Sequence, residues 1–246
     1  AALSCGVSLV AMSAAFAQDQ ETTADGGEIF TLGEIIIYGD RSANTLADTT
    51  ASVGVITQED LASASTQTLR DTFARVANAE APHQNEAGFR IRGVNSEGHT
   101  PGAFGTPLAS YYIDGVQQTV ESTRRGARGM FDMEQLEIYR GPQSTLSGRA
   151  ALAGAVYVRS VEPKFENSGK VRLTFGEDNL RRVGFAVNTS PNEYVAFRFT
   201  GEWSEKDSDL NYPSYESYPL YDNFKTDDYK QARARVLWRP NGEDST

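Results

Sequence analysis

The 246 residues carry 33 acidic against 23 basic side chains, a net charge of −10, and 39% hydrophobic residues. So acidic a chain is not a nucleic-acid binder that works by neutralising phosphates, and beyond its first residues no apolar run is long enough for a membrane helix. If it crosses a membrane it does so with strands, because in lipid only helices and closed barrels satisfy every backbone group.

Residues 1–17 are apolar and small and end in Ala15-Phe16-Ala17, which fits the small-x-small rule for a cleaved secretory signal; Gln18 to Glu21 then turn sharply polar. The segment reads as a truncated signal peptide. It is too short for a hydrocarbon core of about 30 Å, and the residues before Cys5 make a poor lipobox. Cys5 is the only cysteine, so with the signal removed there is no disulfide and no thiolate metal site. Residues 18–49 form a flexible leader, acidic and Gly-containing to Gly33. Within it Glu34-Ile35-Ile36-Ile37-Tyr38 is a run of high β-propensity ending at Gly39-Asp40.

Ser52 to Ile56 alternates weakly as a strand. Thr57 can cap a helix with an acidic third position, and Ser65 can cap another. Leu69, Phe73 and Val76 fall on one helical face, which assigns Phe73 to packing. Phe89-Arg90-Ile91-Arg92-Gly93-Val94 and Tyr111-Tyr112-Ile113-Asp114-Gly115-Val116 are two short strands, each ending in a glycine turn. Two long irregular segments lie around them, Asn95 to Ala109 and Gln117 to Met133, and loops of that length are usually functional. Leu136 and Ile138 then alternate with Glu137 and Tyr139 as in a half-buried strand. Gly141-Pro142 ends it, and Gly148 and Gly154 frame a small-residue return into a strand from Ala155 to Arg159.

The stretch Arg140-Gly141-Pro142 followed by Gly148-Arg149 and Gly154-Ala155, with the Ile-Arg-Gly and Ile-Asp-Gly-Val strands before it in order, resembles the plug domain of TonB-dependent outer-membrane receptors. The resemblance implies an α+β plug at residues 50–163 inside an antiparallel transmembrane β-barrel. It also implies that residues 34–38 are the TonB box, which pairs by β-augmentation with the inner-membrane protein TonB and its energising complex. The alternative at that point is the plug's own first strand. In relatives, arginines at the places of Arg92 and Arg140 pair with glutamates of the barrel wall, and Glu137 completes that lock from the plug side. The long loops imply a substrate floor with His99, Phe104, Arg124, Arg125 and Arg128 as ligand contacts; three arginines suit an anionic ferric chelate. The same arginines also fit plug-to-wall salt bridges. His83 and His99 are the only histidines; solvated loop positions are the favoured reading for them and a two-histidine iron or haem site is the alternative, with no metal site and no cofactor assigned.

From residue 164 onward the pattern alternates with period two: Val171, Leu173 and Phe175; Val183, Phe185 and Val187; Val195, Phe197, Phe199 and Trp203; Ala232, Ala234, Val236 and Trp238. Apolar-out, polar-in strands suit a lipid-facing wall with a wet interior, and a soluble β-sandwich shows the same alternation. Short turns at Ser190-Pro191-Asn192 and Asn241-Gly242, against a long segment from Lys206 to Asp227, favour the barrel. That long segment carries Tyr212, Tyr215, Tyr218, Tyr221 and Phe224, which fit either ligand contact, with Tyr212 and Tyr215 foremost, or interfacial girdle and loop packing.

About four strands follow the plug, whereas the resemblance implies a barrel of about 22. The sequence therefore reads as the N-terminal fragment of a longer receptor, expected to be monomeric in the outer membrane of a Gram-negative bacterium. The function implied is TonB-dependent, ligand-gated import of ferric siderophores, with no bond chemistry. Import of cobalamin, haem or glycans would share every motif, and a soluble periplasmic binding module made of the plug alone is the reading from another class.

Overall fold

The structure is a computed structural model that describes residues 35–39, 45–63, 65–81, 88–97, 107–119, 128–142, 151–208, 217 and 226–240. The plug opens with strand β1 (Val53–Ile56) and helices α1 (Gln58–Ala62) and α2 (Leu69–Phe73). Thr57 caps α1 in a reciprocal box with Asp60, as its sequence spacing requires. The second cap is Thr68, not Ser65. Asp71 lies three residues after Thr68 and accepts a hydrogen bond from its backbone amide at 2.8 Å, whereas the residue three after Ser65 is Thr68, which has no carboxylate to close the box. The Ser65 hydroxyl instead accepts from Arg75 at 2.7 Å. Leu69, Phe73 and Val76 are buried together as the periodicity predicts, and the Phe73 and Phe89 rings stand 5.1 Å apart.

A minor sheet follows, β2 (Ala79–Glu80), β3 (Arg90–Ile91) and β4 (Val94–Asn95), and then β5 (Ala109–Ile113) and β6 (Val116–Gln117). The two glycine motifs prove to be one device used twice. Arg92-Gly93 and Asp114-Gly115 each connect a hairpin with both residues at positive φ, 51° and 76° in the first and 48° and 79° in the second. That is the type I′ geometry whose twist matches a tight hairpin, and it explains the glycine at the second position.

The main sheet runs β1-β7-β8-β5-β6, with β7 (Met133–Arg140) and β8 (Gly154–Ser160) at its centre. Only β5 and β8 are parallel. One face carries Ile56, Leu136, Ile138, Val156 and Val158 into the apolar core beneath Leu61, Leu69 and Phe73. The other carries Gln135, Glu137, Tyr139, Tyr157 and Arg159, brought side by side by the β7–β8 register. The expectation of a half-buried β7 fails here, because Glu137 and Tyr139 are as buried as Leu136 and Ile138. The leader covers that second face.

After the plug, β9 (Ser168–Phe175), β10 (Arg181–Asn192), β11 (Val195–Glu205) and β12 (Tyr229–Trp238) form an open antiparallel sheet in the order β12-β11-β10-β9. Its outer face exposes Val171, Leu173, Phe175, Val183, Phe185, Val187, Phe199, Val236 and Trp238. Its inner face is polar and rests on the plug. Strand β10 extends through Pro191 to Asn192, so the β10–β11 hairpin turns at Glu193-Tyr194, later than the sequence pattern suggests. Proline is tolerated there because the ladder shifts register between Thr189 and Asn192 and needs no amide from it. Asn241-Gly242 lies outside the described residues.

Candidate functional site: the leader dock and the plug–wall contact

Residues 35–39 join neither the main sheet nor the wall; a single bridge pairs Ile36 with Thr45. The segment lies over the polar face of β7 and β8. Glu137 accepts from the amide of Tyr38 at 2.7 Å and from that of Gly39 at 2.9 Å, one with each carboxylate oxygen. Gln135 donates to the Ile36 carbonyl at 2.9 Å, and Gln135 and the Tyr139 hydroxyl both donate to Glu137, at 2.8 and 3.0 Å. A buried carboxylate that receives four donors is satisfied, and its charge strengthens each bond. Ile37 is fully buried while Ile36 and Tyr38 face outward, the alternation of an extended segment lying on a surface. The Arg159 guanidinium sits 4.0 Å from the Tyr38 ring centre. Gly39 is required for this approach: a Cβ there would lie 2.5 Å from the Tyr139 ring and 2.7 Å from that of Tyr157.

The second constellation joins plug to wall. Residues Gly129 to Asp132 run along the inner face of β9–β12. The Gly129 carbonyl accepts from Gln231 at 3.1 Å, and the Phe131 carbonyl from Arg233 at 2.5 Å. The Phe131 ring packs over the bare backbone of Gly184, with Lys170 and Arg172 cations 5.0 and 5.3 Å from its centre. Asp132, buried and at a positive φ of 61°, takes a bidentate fork from Arg198 at 2.8 and 2.6 Å and the Thr200 hydroxyl at 2.7 Å, with Lys170 at 3.1 Å. Burial pushes its pKa up, but the hydrogen bonds from Arg198 and Thr200 and the charges of Lys170 and Arg198 outweigh burial and bring it down from 3.8 to about 2. Beside it Arg182 and Glu202 are both buried 3.7 Å apart, and Arg182 also donates to Gln67 of the plug at 2.7 Å. Arg235 of β12 reaches the Ser160 carbonyl at 2.5 Å and Glu162 at 3.2 Å. Between α1, Asp132 and β9 a cavity of about 310 Å³ remains, lined by Gln58, Glu59, Met130, Asp132, Lys170 and Arg172 among others.

The residues singled out from the sequence fall into three groups. Ile35, Ile36, Ile37 and Tyr38 are in the leader dock, where Glu137 accepts from the amides of Tyr38 and Gly39; its other donors are Gln135 and Tyr139 of β7. Arg92 and Arg140 come together at the turn after α2, where the Arg92 amide donates to the Asn78 carbonyl at 2.7 Å and the Arg140 guanidinium to that of Ala77 at 3.0 Å. The Arg128 carbonyl accepts from Leu69 at 2.8 Å, and its charge acts on the Tyr111 hydroxyl. That hydroxyl is pushed up to about 12 by burial, against the opposing charges of Arg128 and Arg233. Glu34, His83, His99, Phe104, Arg124, Arg125, Tyr212 and Tyr215 lie outside the described residues. Sequence reasoning missed Asp132. It sits in what reads as an irregular loop, and its signal was the excess of cations on the inward positions of the wall strands: Lys170, Arg172, Arg182, Arg198, Arg233 and Arg235.

The plug motifs match a family model described as the TonB-dependent Receptor Plug Domain, over residues 45–155. The chain thus carries a TonB-dependent receptor plug domain. It is 28% identical over 206 residues to the ferrioxamine B receptor of Salmonella typhimurium, a match that takes in 82% of this chain and 28% of that protein. It is 24% identical over 224 residues to the iron-regulated outer membrane virulence protein of Vibrio cholerae, covering 84% of this chain and 32% of that one. Among solved structures, the ferric yersiniabactin uptake receptor FyuA from Yersinia pestis superposes with a TM-score of 0.59 at 19% identity, over 76% of this chain and 29% of that one; at that identity the likeness speaks for the fold. The chain thus spans less than a third of each of these three proteins. Two of these three proteins are named as receptors.

Proposed function

We propose that this receptor chain supplies the plug, the TonB-facing leader and the first wall strands of an active importer for ferric siderophores in the outer membrane of a Gram-negative bacterium. The observation that carries this reading is the leader dock. A strand-forming segment is held to the plug by two amides on one carboxylate, one amide side chain and one cation–ring contact. A hydrogen bond to a charged group contributes about 1.5–3 kcal/mol, so the segment is attached firmly enough to have a defined resting place and loosely enough to leave it. A partner's sheet edge offers the same backbone a full ladder. TonB can therefore take the strand from the plug and pull along the chain, delivering work to a membrane that has no nucleotide supply of its own.

The substrate class follows from relatives named for ferrioxamine and for iron regulation. Arg124, Arg125 and His99, with Phe104, Tyr212 and Tyr215, are the proposed ligand contacts on the outer side. Arg128 supports that role less, because its neighbourhood is the buried Tyr111. Arg92 and Arg140, gathered at one turn, are proposed to lock onto carboxylates of further wall strands. Binding of ligand is proposed to loosen the leader and so gate the pull.

Deleting residues 34–38 from the full-length receptor tests this reading. Energised uptake of radiolabelled ferric ferrioxamine B should vanish while its binding to whole cells persists. Loss of binding instead would make the segment a structural part of the plug and refute the proposal.

A further inference from the structure

Arg159 and Arg235 share a carboxylate. Arg159, on β8, holds the Tyr38 ring at 4.0 Å and pairs with Glu134 at 3.0 Å and Glu162 at 2.6 Å. The same Glu162 oxygen, Oε1, meets Arg235 of wall strand β12 at 3.2 Å. Arg235 in turn reaches the Ser160 carbonyl and lies 3.5 Å from Asp114, whose carboxylate accepts from the Ser160 amide at 2.8 Å and hydroxyl at 2.7 Å. A continuous set of contacts therefore runs from the leader, through one plug residue, to the wall and to the β5–β6 turn.

We propose that Glu162 couples the leader dock to the plug–wall contact, so that loosening Arg235 from the plug weakens the hold of Arg159 on Tyr38 at a distance. Glu162 touches neither the leader nor the β7 carboxylate that binds it. It is a positioning residue that acts through Arg159. With Arg235 in place, Glu162 is held from two sides and its side chain is fixed where Arg159 needs it; without Arg235, Glu162 is held by Arg159 alone and that pair is less well oriented. The side chains are a quarter to nearly half exposed, so each pair is screened and modest, and the coupling belongs at the low end of the range for linked sites, roughly fivefold. The converse follows by linkage: removal of the leader by a pulling partner loosens Arg159, returns Glu162 to Arg235 alone and alters the wall contact by the same factor.

The test uses the full-length receptor in outer-membrane vesicles, with Ile37→Cys as a probe that is buried when the leader is docked. The rate at which maleimide labels the introduced thiol then reads undocking, with no need for TonB or ligand, so its outcome is separable from the importer proposal. Arg235→Gln is expected to raise the labelling rate roughly fivefold at low salt and less at high salt, Glu162→Gln to do the same, and the double variant to add little to either. Lys206→Gln, which breaks a surface pair with Asp178 outside both sets of contacts, should leave the rate unchanged. If Arg235→Gln leaves labelling of the probe at the parent rate while Glu162→Gln raises it, or if the two changes multiply, the leader and the wall are independent and the proposal fails. Should Arg235→Gln not assemble, Arg235→Met takes its place with the same expectation, and equal rates for Glu162→Gln and Lys206→Gln overturn the coupling.

Discussion

Replacing Asp132 with Asn removes one charge from the centre of the plug–wall contact while keeping the side chain's size. Two independent routes give the cost. The fall of its pKa from 3.8 to about 2 corresponds to about 2 kcal/mol of preference for the charged form in the folded state. Breaking one partner of a buried pair strands the other, at about 3–5 kcal/mol, and Arg198 is almost as buried as Asp132. The first route is the lower bound, because a protonated acid keeps some hydrogen bonds, whereas an amide turns a donor towards Arg198 or Thr200. A loss of about 2–4 kcal/mol is expected, which lowers amide-exchange protection of β7, directly after Asp132, by roughly 30- to 1,000-fold at neutral pH. The measurement is hydrogen exchange of the full-length receptor in detergent, read by mass spectrometry over peptides spanning residues 128–142. The pH arm has a definite sign. Because the folded pKa is lowered, the stabilisation is complete above the unfolded value near 4 and is lost as pH falls towards 2, so the parent should lose β7 protection over that interval and the variant should not. Protection of β7 within about threefold of the parent at neutral pH would refute the assignment of Asp132 as the electrostatic centre of the contact.

Glu137→Gln should free the leader without unfolding the plug, since the amide can still accept one of the two backbone donors but has lost the charge that strengthens both. Maleimide labelling of the thiol introduced by Ile37→Cys should rise by about tenfold or more, and an unchanged rate would mean the leader is held by packing alone. On the outer face, Leu173→Arg places a cation where the exposed apolar band of β9 lies. If that face meets lipid, it should cost about 2–4 kcal/mol near the bilayer midplane, seen as a lower urea midpoint for the receptor folded into vesicles, whereas Arg172→Leu on the polar face should leave lipid insertion intact.

What was legible in the chain is what depends on local rules. Capping boxes need a carboxylate three residues after a threonine; type I′ turns need a glycine at their second position; wall strands need strict alternation because one face is wet and the other apolar. These gave α1, the two glycine turns, the β7–β8 core face and the identity of the outward residues on β9–β12. Even the error at Ser65 is local, since the missing carboxylate could have been read from the sequence. The leader segment was visible too, as the run of β-formers from Glu34 to Tyr38.

Its resting place was not visible. That Glu137 and Tyr139 are buried, that Tyr38 and Gly39 donate to one carboxylate far along the chain, and that Asp132 gathers Arg198, Thr200 and Lys170 are consequences of pairings between distant positions. Period-two alternation says which side chains share a face; it carries no information about what that face will meet. The sequence by itself determined most of the elements, the resemblance to a plug domain and which side chains share a face. Only the tertiary structure decided which polar surfaces oppose one another, because ion pairs and side-chain hydrogen bonds are set by proximity in space, and the closing of long loops, not the local pattern, brings those groups within about 3 Å.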